Sequence, residues 1–400
     1  MKRFREVFRE ESGYRAFFLS LVMFALAYGL YKGVIDNYLA EVVALSGFGK
    51  GISEFFRELP GIALIFILAA LYTLSAERIF RIGGLLMLLG MAAQAVVPPH
   101  RVLVILCMFL FSLGDHISLG MRSSLSLQYA REGRGGEALG MLSAVYQAGM
   151  LAGYLVIILV FSLFTDAAWL FRAVFAVSAG IIGLGVLSTL RMKDTSTPDE
   201  SKQRFYFRKK FSKYYMLEVF YGARKQVFLT FGPYVLVLFY GAGARVISLL
   251  FAVSSVCCFL ASPIVGKIID RFGYKAVMIS DTLILVVVCF FYGFAHHLFP
   301  RNIAFVVCCI NYVLDSVISL ASMASNVYVQ DLSDSADEIR ATISTGVSVN
   351  HIISVLIALF GGWIWQTLGI EALFCLSAVL GLCNSAYAAT IRTGQKARNA

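Results

Sequence analysis

Three observations predict an all-α membrane protein of twelve transmembrane helices in two pseudo-symmetric six-helix bundles. First, 59% of the 400 residues are hydrophobic and 14% are charged, with a mean hydropathy of +0.78, far from the balance of a soluble domain. Second, apolar runs alternate with short charged loops, and many runs reach the roughly 20 residues that a helix needs to cross a ~30 Å hydrocarbon core. Third, one sizeable hydrophilic stretch, 191–212, contains Asp194-Thr195-Ser196-Thr197-Pro198-Asp199-Glu200-Ser201 and divides the runs six and six. Alternation of the β-barrel kind is absent, so helices must satisfy the backbone in lipid.

The spans fall at 16–43, 52–75, 81–98, 101–125, 137–162, 166–190, 213–240, 244–266, 274–295, 302–327, 338–362 and 369–391. Residues 1–190 then form an N-terminal bundle, 191–212 a basic cytoplasmic linker and 213–400 a C-terminal bundle. The formal net charge of +10 would suggest nucleic acid in a soluble protein. Here most Lys and Arg gather in alternate loops and both tails, densest at Arg204-Phe205-Tyr206-Phe207-Arg208-Lys209-Lys210. That bias places both termini in the cytoplasm and serves attraction to anionic lipid rather than nucleic acid. The basic arm from Met1 to Arg15 leads into a run too long for a cleavable signal. All eight cysteines lie within predicted spans, as small apolar packing residues rather than a disulfide frame or zinc site.

Each ionisable group inside a span costs roughly 2.5–3.5 kcal/mol to insert and therefore needs a reason. Span one carries Tyr28, Tyr31, Lys32, Asp36 and Tyr38; Lys32 and Asp36 share a helix face, either as a self-neutralising pair or with Lys32 receiving an anion. Span two opens with Glu54, Arg57 and Glu58 on one face before Pro60, either a packing triad or an anion and proton site. Span four holds Asp115 beside His116, and span five offers Tyr146 and Gln147. Span seven carries Tyr221, Arg224, Lys225 and Gln226, with Glu218 a turn earlier. Asp315 in span ten and Asn350-His351 in span eleven complete the set. Asp115 and Asp315 are the leading proton sites, against pairing with Arg122, Lys32 or Lys225; His116 is a shuttle or a packing residue.

The order of these residues repeats. Tyr28-Gly29-Leu30-Tyr31-Lys32-Gly33-Val34 returns 193 residues later as Tyr221-Gly222-Ala223-Arg224-Lys225-Gln226-Val227, so Lys32 and Lys225 correspond. Glu77-Arg78 aligns with Asp270-Arg271, and after a slip of seven or eight residues Asp115 aligns with Asp315. Parallel repeats of this kind place a substrate path between two halves.

Gly266-Lys267-Ile268-Ile269-Asp270-Arg271-Phe272-Gly273-Tyr274-Lys275 resembles the signature loop of the major facilitator superfamily, G-x-x-x-D-R-x-G-x-[RK]. It lies between spans eight and nine, where that family's second copy belongs; the first copy, Glu77-Arg78-Ile79-Phe80-Arg81, is degenerate. The resemblance covers the whole six-plus-six layout and implies two bundles rocking about a central cavity. It also implies that Gly266, Asp270, Arg271 and Gly273 clamp a gating state rather than bind substrate. Gly140, Gly149 and Gly153 match the glycine spacing of the family's antiporter signature, but Tyr154 stands where its proline would be. The same spacing serves close helix packing.

The expected function is a secondary active transporter that moves a small organic anion or zwitterion by proton-coupled alternating access, as a monomer in a cytoplasmic (inner) membrane. Lys32, Lys225, Arg224, Arg57, Tyr28, Tyr31, Tyr221 and Gln147 would bind substrate; Asp115, Asp315, Glu54, Glu58, Asp36 and His116 would handle the proton. No ATP loop, dinucleotide fingerprint or hydrolase motif is present, so neither an enzyme nor a cofactor is expected. Two alternatives stay open: an exporter of amphiphilic drugs or lipids, given 33 phenylalanines, and a non-transporting receptor or assembly protein built on the same fold.

Overall fold

The computed structural model describes residues 2–10, 13–71, 73–164, 167–193 and 207–391. The charged tract at 194–206, part of the expected linker, lies outside the described residues. The described chain is helical, with one isolated antiparallel bridge between Phe8 and Ala130. The helices are α1 (Lys2–Val7), α2 (Tyr14–Asn37), α3 (Gly47–Ala70), α4 (Ala76–Val96), α5 (Arg101–Tyr129), α6 (Gly135–Leu163) and α7 (Ala168–Thr189). After 194–206 follow α8 (Ser212–Tyr240), α9 (Ala244–Phe272), α10 (Tyr274–Leu298), α11 (Arg301–Ile318), α12 (Met323–Leu332) and α13 (Ala336–Ala389).

Among the described residues, nine helical stretches are long and apolar enough to cross a membrane. This is a multi-pass integral membrane protein. Three differences from twelve expected spans have physical causes. Helices α3 and α8 have 24 and 29 residues, but each carries several charges: Lys50, Glu54, Arg57 and Glu58 in one, Lys213, Glu218, Arg224 and Lys225 in the other. Helix α13 runs for 54 residues and contains one non-helical residue, Gly369 at φ 92°. That left-handed backbone is accessible to glycine and breaks the helix at the first residue of the predicted twelfth span.

Two compact units emerge. The first comprises 1–44, 56–204 and 243–252; the second comprises 45–55, 205–242 and 253–400. In the first, α2 packs on α6 and α7, and α4 packs on α5 and α7. The α2–α6 contact is a close backbone approach: a Cβ on Gly153 would lie 2.6 Å from the Leu30 nitrogen and 2.7 Å from the Gly29 carbonyl carbon. Gly149 likewise abuts the Ala25 Cβ, whereas a Cβ at Gly140 would meet open space. Two of the three antiporter-type glycines therefore serve helix packing here.

In the second unit α8 and α10 both pack along α13, and α10 also packs on α11. Ser335 caps α13 by accepting from the Glu338 N–H at 3.2 Å, while Glu338 reaches back to the Asp334 N–H at 2.8 Å. The same Glu338 carboxylate pairs with Lys210 at 2.7 Å and Arg208 at 3.4 Å.

Candidate functional site

Each unit carries its own buried polar cluster. In the first, Lys32 Nζ lies 3.7 Å from Asp36 Oδ2, one turn away on α2, and 5.5 Å from the centre of the Phe251 ring. Asp36 is almost fully buried at 1% exposure; the Lys32 side chain keeps 23%. A 3.7 Å separation is an ion pair outside hydrogen-bond range. Tyr31 is buried against Phe111 and Phe175, with ring centres 4.7 and 6.2 Å away. Tyr28 sits over Phe111, within electrostatic reach of Arg57, Asp115, Tyr146 and Tyr154.

Three further helices supply the rest of that cluster. On α3, Arg57 pairs with the neighbouring Glu58, and the Arg57 carbonyl accepts from Ser112 Oγ. On α5, His116 Nδ1 donates to the Ser112 carbonyl at 2.8 Å, which fixes that ring one turn back along its own helix. Asp115 pairs with Arg122 at 2.6 Å, and the Arg122 guanidinium lies 4.3 Å over the Tyr146 ring of α6. Gln147, its neighbour on α6, is exposed.

In the second unit, Arg224 of α8 reaches Asp281 of α10 at 2.8 Å, with both side chains below 10% exposure. The Arg224 guanidinium lies 4.9 Å over the Tyr221 ring and Lys225 Nζ lies 5.8 Å over the same ring. Tyr221 is fixed in turn, its hydroxyl donating to the Ser319 carbonyl at 2.7 Å. Asp315 of α11 is buried within electrostatic reach of both Arg224 and Lys225. Glu218 accepts from Ser325 at 3.0 Å and from Asn350 at 3.4 Å. Gln226 donates to Thr230 at 2.8 Å.

The second unit also holds Glu54, which pairs with Lys50 at 2.7 Å. Of the expected grouping of Glu54, Arg57 and Glu58, Glu58 pairs with Arg57, and Glu54 has Lys50 as a further cation. Lys50, read from the sequence as a loop residue before span two, is fully buried inside α3 and stacked 5.5 Å over Tyr234. The cause is that α3 starts at Gly47 rather than near 52, which brings one more turn into the helix.

Asp281 was missed by the sequence reading. Its signal is present, because Ser280-Asp281-Thr282 interrupts an otherwise apolar run in span nine and pairs with an arginine already singled out. The signature-loop residues Asp270 and Arg271 form the exposed end of α9, and Gly273, at φ 80°, makes the turn into α10. Their degenerate counterpart is buried instead: Glu77 has no exposure and accepts from Gln128 at 2.9 Å.

The family model described as Major Facilitator Superfamily matches residues 214–399. Over that stretch, somewhat less than half of its length, the chain is similar to that superfamily. Solved transporter structures share the fold over nearly the whole chain. The nucleoside transporter NupG is 17% identical at a TM-score of 0.72, covering 96% of this chain and 99% of its own. A D-xylose-proton symporter is 14% identical, also at 0.72, with coverage of 96% and 99%. A POT family transporter in complex with 5-aminolevulinic acid is 11% identical at 0.73, covering 93% and 94%. No curated protein matches the chain. At these identities the likeness shows the transporter fold and leaves cargo to the side chains of this chain.

Proposed function

We propose that the chain is a secondary active transporter that carries a small organic anion or zwitterion in exchange for, or together with, a proton. In this reading α3, α8 and the part of α13 after Gly369 add three spans to the nine, giving twelve in two six-helix bundles bounded at 190 and 213. Both termini face the cytoplasm, the transporter is monomeric, and 191–212 joins the bundles.

One observation carries the proposal: Lys32 and Lys225 recur at corresponding places, and each is incompletely buried beside a densely charged interior. Asp36, at 3.7 Å, is a competitor for Lys32 rather than a permanent partner. A proton on the Asp36 carboxyl removes that competition and turns Lys32 toward a substrate carboxylate. Asp115 is charge-compensated by Arg122 at 2.6 Å, which favours Asp315 over Asp115 as the second proton carrier. Glu218, Asp281 and Asp315 share two cations, Arg224 and Lys225, so one carboxylate in that group lacks a dedicated cation. Tyr28, Tyr31, Tyr221, Arg57 and Gln147 remain the proposed substrate contacts, Glu54, Glu58 and His116 the secondary proton groups, and Gly266 to Gly273 the gate. The D-xylose-proton symporter supports proton coupling by kinship of fold.

The test is uptake into proteoliposomes with an imposed proton gradient, using a panel of organic anions, amino acids, nucleosides and sugars. Gradient-driven uptake of an anion or zwitterion that Lys32→Ala abolishes is the expected result. Uptake unchanged by Lys32→Ala would remove the lysines from the substrate site.

A further inference from the structure

A different cluster lies at the end of the second unit formed by the last turn of α10 and the start of the helix after Gly369. His296 and His297 are consecutive in that last turn. Gly293, one turn earlier, faces that helix start, since a Cβ there would lie in ordinary contact, 3.5 Å from the Glu371 Cα. Gly369 has a second constraint besides its φ of 92°: a Cβ there would lie 2.5 Å from Glu371 Oε2. The Glu371 carboxylate therefore folds back over Gly369.

That carboxylate meets both imidazoles at one oxygen. His297 Nε2 is 2.8 Å and His296 Nε2 3.1 Å from Glu371 Oε1, and the two rings lie 3.9 Å apart. The three atoms lie within 4.8 Å of one another. The His296 ring is held edge-on by Phe239 at 4.9 Å, and the His297 side chain is 58% exposed.

From this geometry we infer that His296, His297 and Glu371 form a binding site for a late first-row divalent cation of the Zn2+ type, independent of the transport reading. Two imidazole nitrogens and one carboxylate oxygen are a donor set used for zinc, at metal–ligand distances of about 2.0–2.2 Å. Tetrahedral donors at such distances sit about 3.3 Å apart. The observed 2.8 and 3.1 Å separations therefore need to open by only tenths of an ångström. In place of two N–H donors crowding one oxygen, each neutral imidazole takes the tautomer with its proton on Nδ1 and gives its Nε2 lone pair to the metal. The exposed edge of His297 leaves a fourth position for water. Imidazole donors select Zn2+, Cu2+ or Ni2+ over hard cations such as Ca2+. A bound ion would tie the end of α10 to the final helix.

The test is calorimetric and thermal-shift titration of the full chain with Zn2+, purified through a tag without histidine and freed of metal with a chelator. Saturable binding with a rise in melting temperature, absent with Ca2+, is expected. His297→Ala and Glu371→Gln should each weaken Zn2+ affinity by about tenfold or more. If His296→Ala disturbs folding, judged from its melting temperature without metal, the exposed His297 variant carries the test alone. Affinity for Zn2+ that is unchanged in His297→Ala and Glu371→Gln, or no saturable binding by the parent, would overturn the site.

Discussion

Tyr28–Val34 and Tyr221–Val227 are near-copies in sequence, yet their surroundings divide the same work differently. At one register Tyr31 fills the interior of the first unit with an aromatic ring, where Arg224 fills the second with a guanidinium bound to Asp281. At the next register Lys32 meets an acid one turn along its own helix, whereas Lys225 leans over Tyr221 within electrostatic reach of Glu218, two turns back on α8, and of Asp315 on α11. The glycines differ too. A Cβ on Gly29 would meet backbone, 2.9 Å from the Met150 Cα, while one on Gly222 would meet the Asn350 side-chain amide at 2.7 Å. A repeat therefore conserves direction along the helix while each unit decides what the position is for. In the second unit the cation at 224 is paired with Asp281, and the proposed function rests most on 225.

The largest effect that could break this division is at Arg224. Arg224→Met leaves Asp281 buried without its partner and should cost about 3–5 kcal/mol, read as thermal unfolding in detergent. Pairing it with Asp281→Asn should recover much of that loss; a double variant as unstable as the single would refute a shared role. Next come the glycines: Gly29→Ala forces backbone apart and should cost about 1–3 kcal/mol. Gly222→Ala should cost less, because an amide end can swing aside. Equal losses would mean that α2 and α8 are packed alike after all.

At the lysines the difference should appear in transport before stability. Lys32→Met is expected to remove uptake at a cost of about 1–2 kcal/mol of stability, the loss of one partner of a partly buried ion pair. The smallest effect concerns the surface of the second unit. Burial works against the Lys210 ammonium, but its bonds to Asp334 and Glu338 outweigh that and hold it above the ordinary lysine range. A cation whose pKa is raised on folding contributes fully below its unfolded pKa and loses the contribution as pH rises through the folded one. Lys210→Ala should therefore cost under about 1 kcal/mol at neutral pH and nothing extra well above pH 10. Set beside Arg224→Met, it measures how much burial alone magnifies an ion pair.

Most of the fold was legible because membrane spans are written in long runs of a single chemical kind. Where that failed, charge was the reason. Lys50 looked like a loop residue because an ammonium inside a helix end is improbable until its partner Glu54, a turn later, is counted with it. Asp281 escaped notice for a related reason: nothing four residues away pairs with it, and its cation lies on α8, a contact that only folding reveals. Conversely, the Asp115–Arg122 pair was a foreseeable option, being seven residues apart on one helix. Local pairs can be read from spacing, whereas pairs between helices require the packing.

The close seating of Gly153 on Gly29 and Leu30 also has a practical use. Helices bolted backbone to backbone travel together, so α6 can act as a handle for α2. Leu155, two residues beyond the contact and 54% exposed, offers a position for a spin label or fluorophore on a cysteine variant. Such a reporter would register the movement of the Lys32 helix without touching Lys32 itself, turning a packing contact into a ruler for the working cycle.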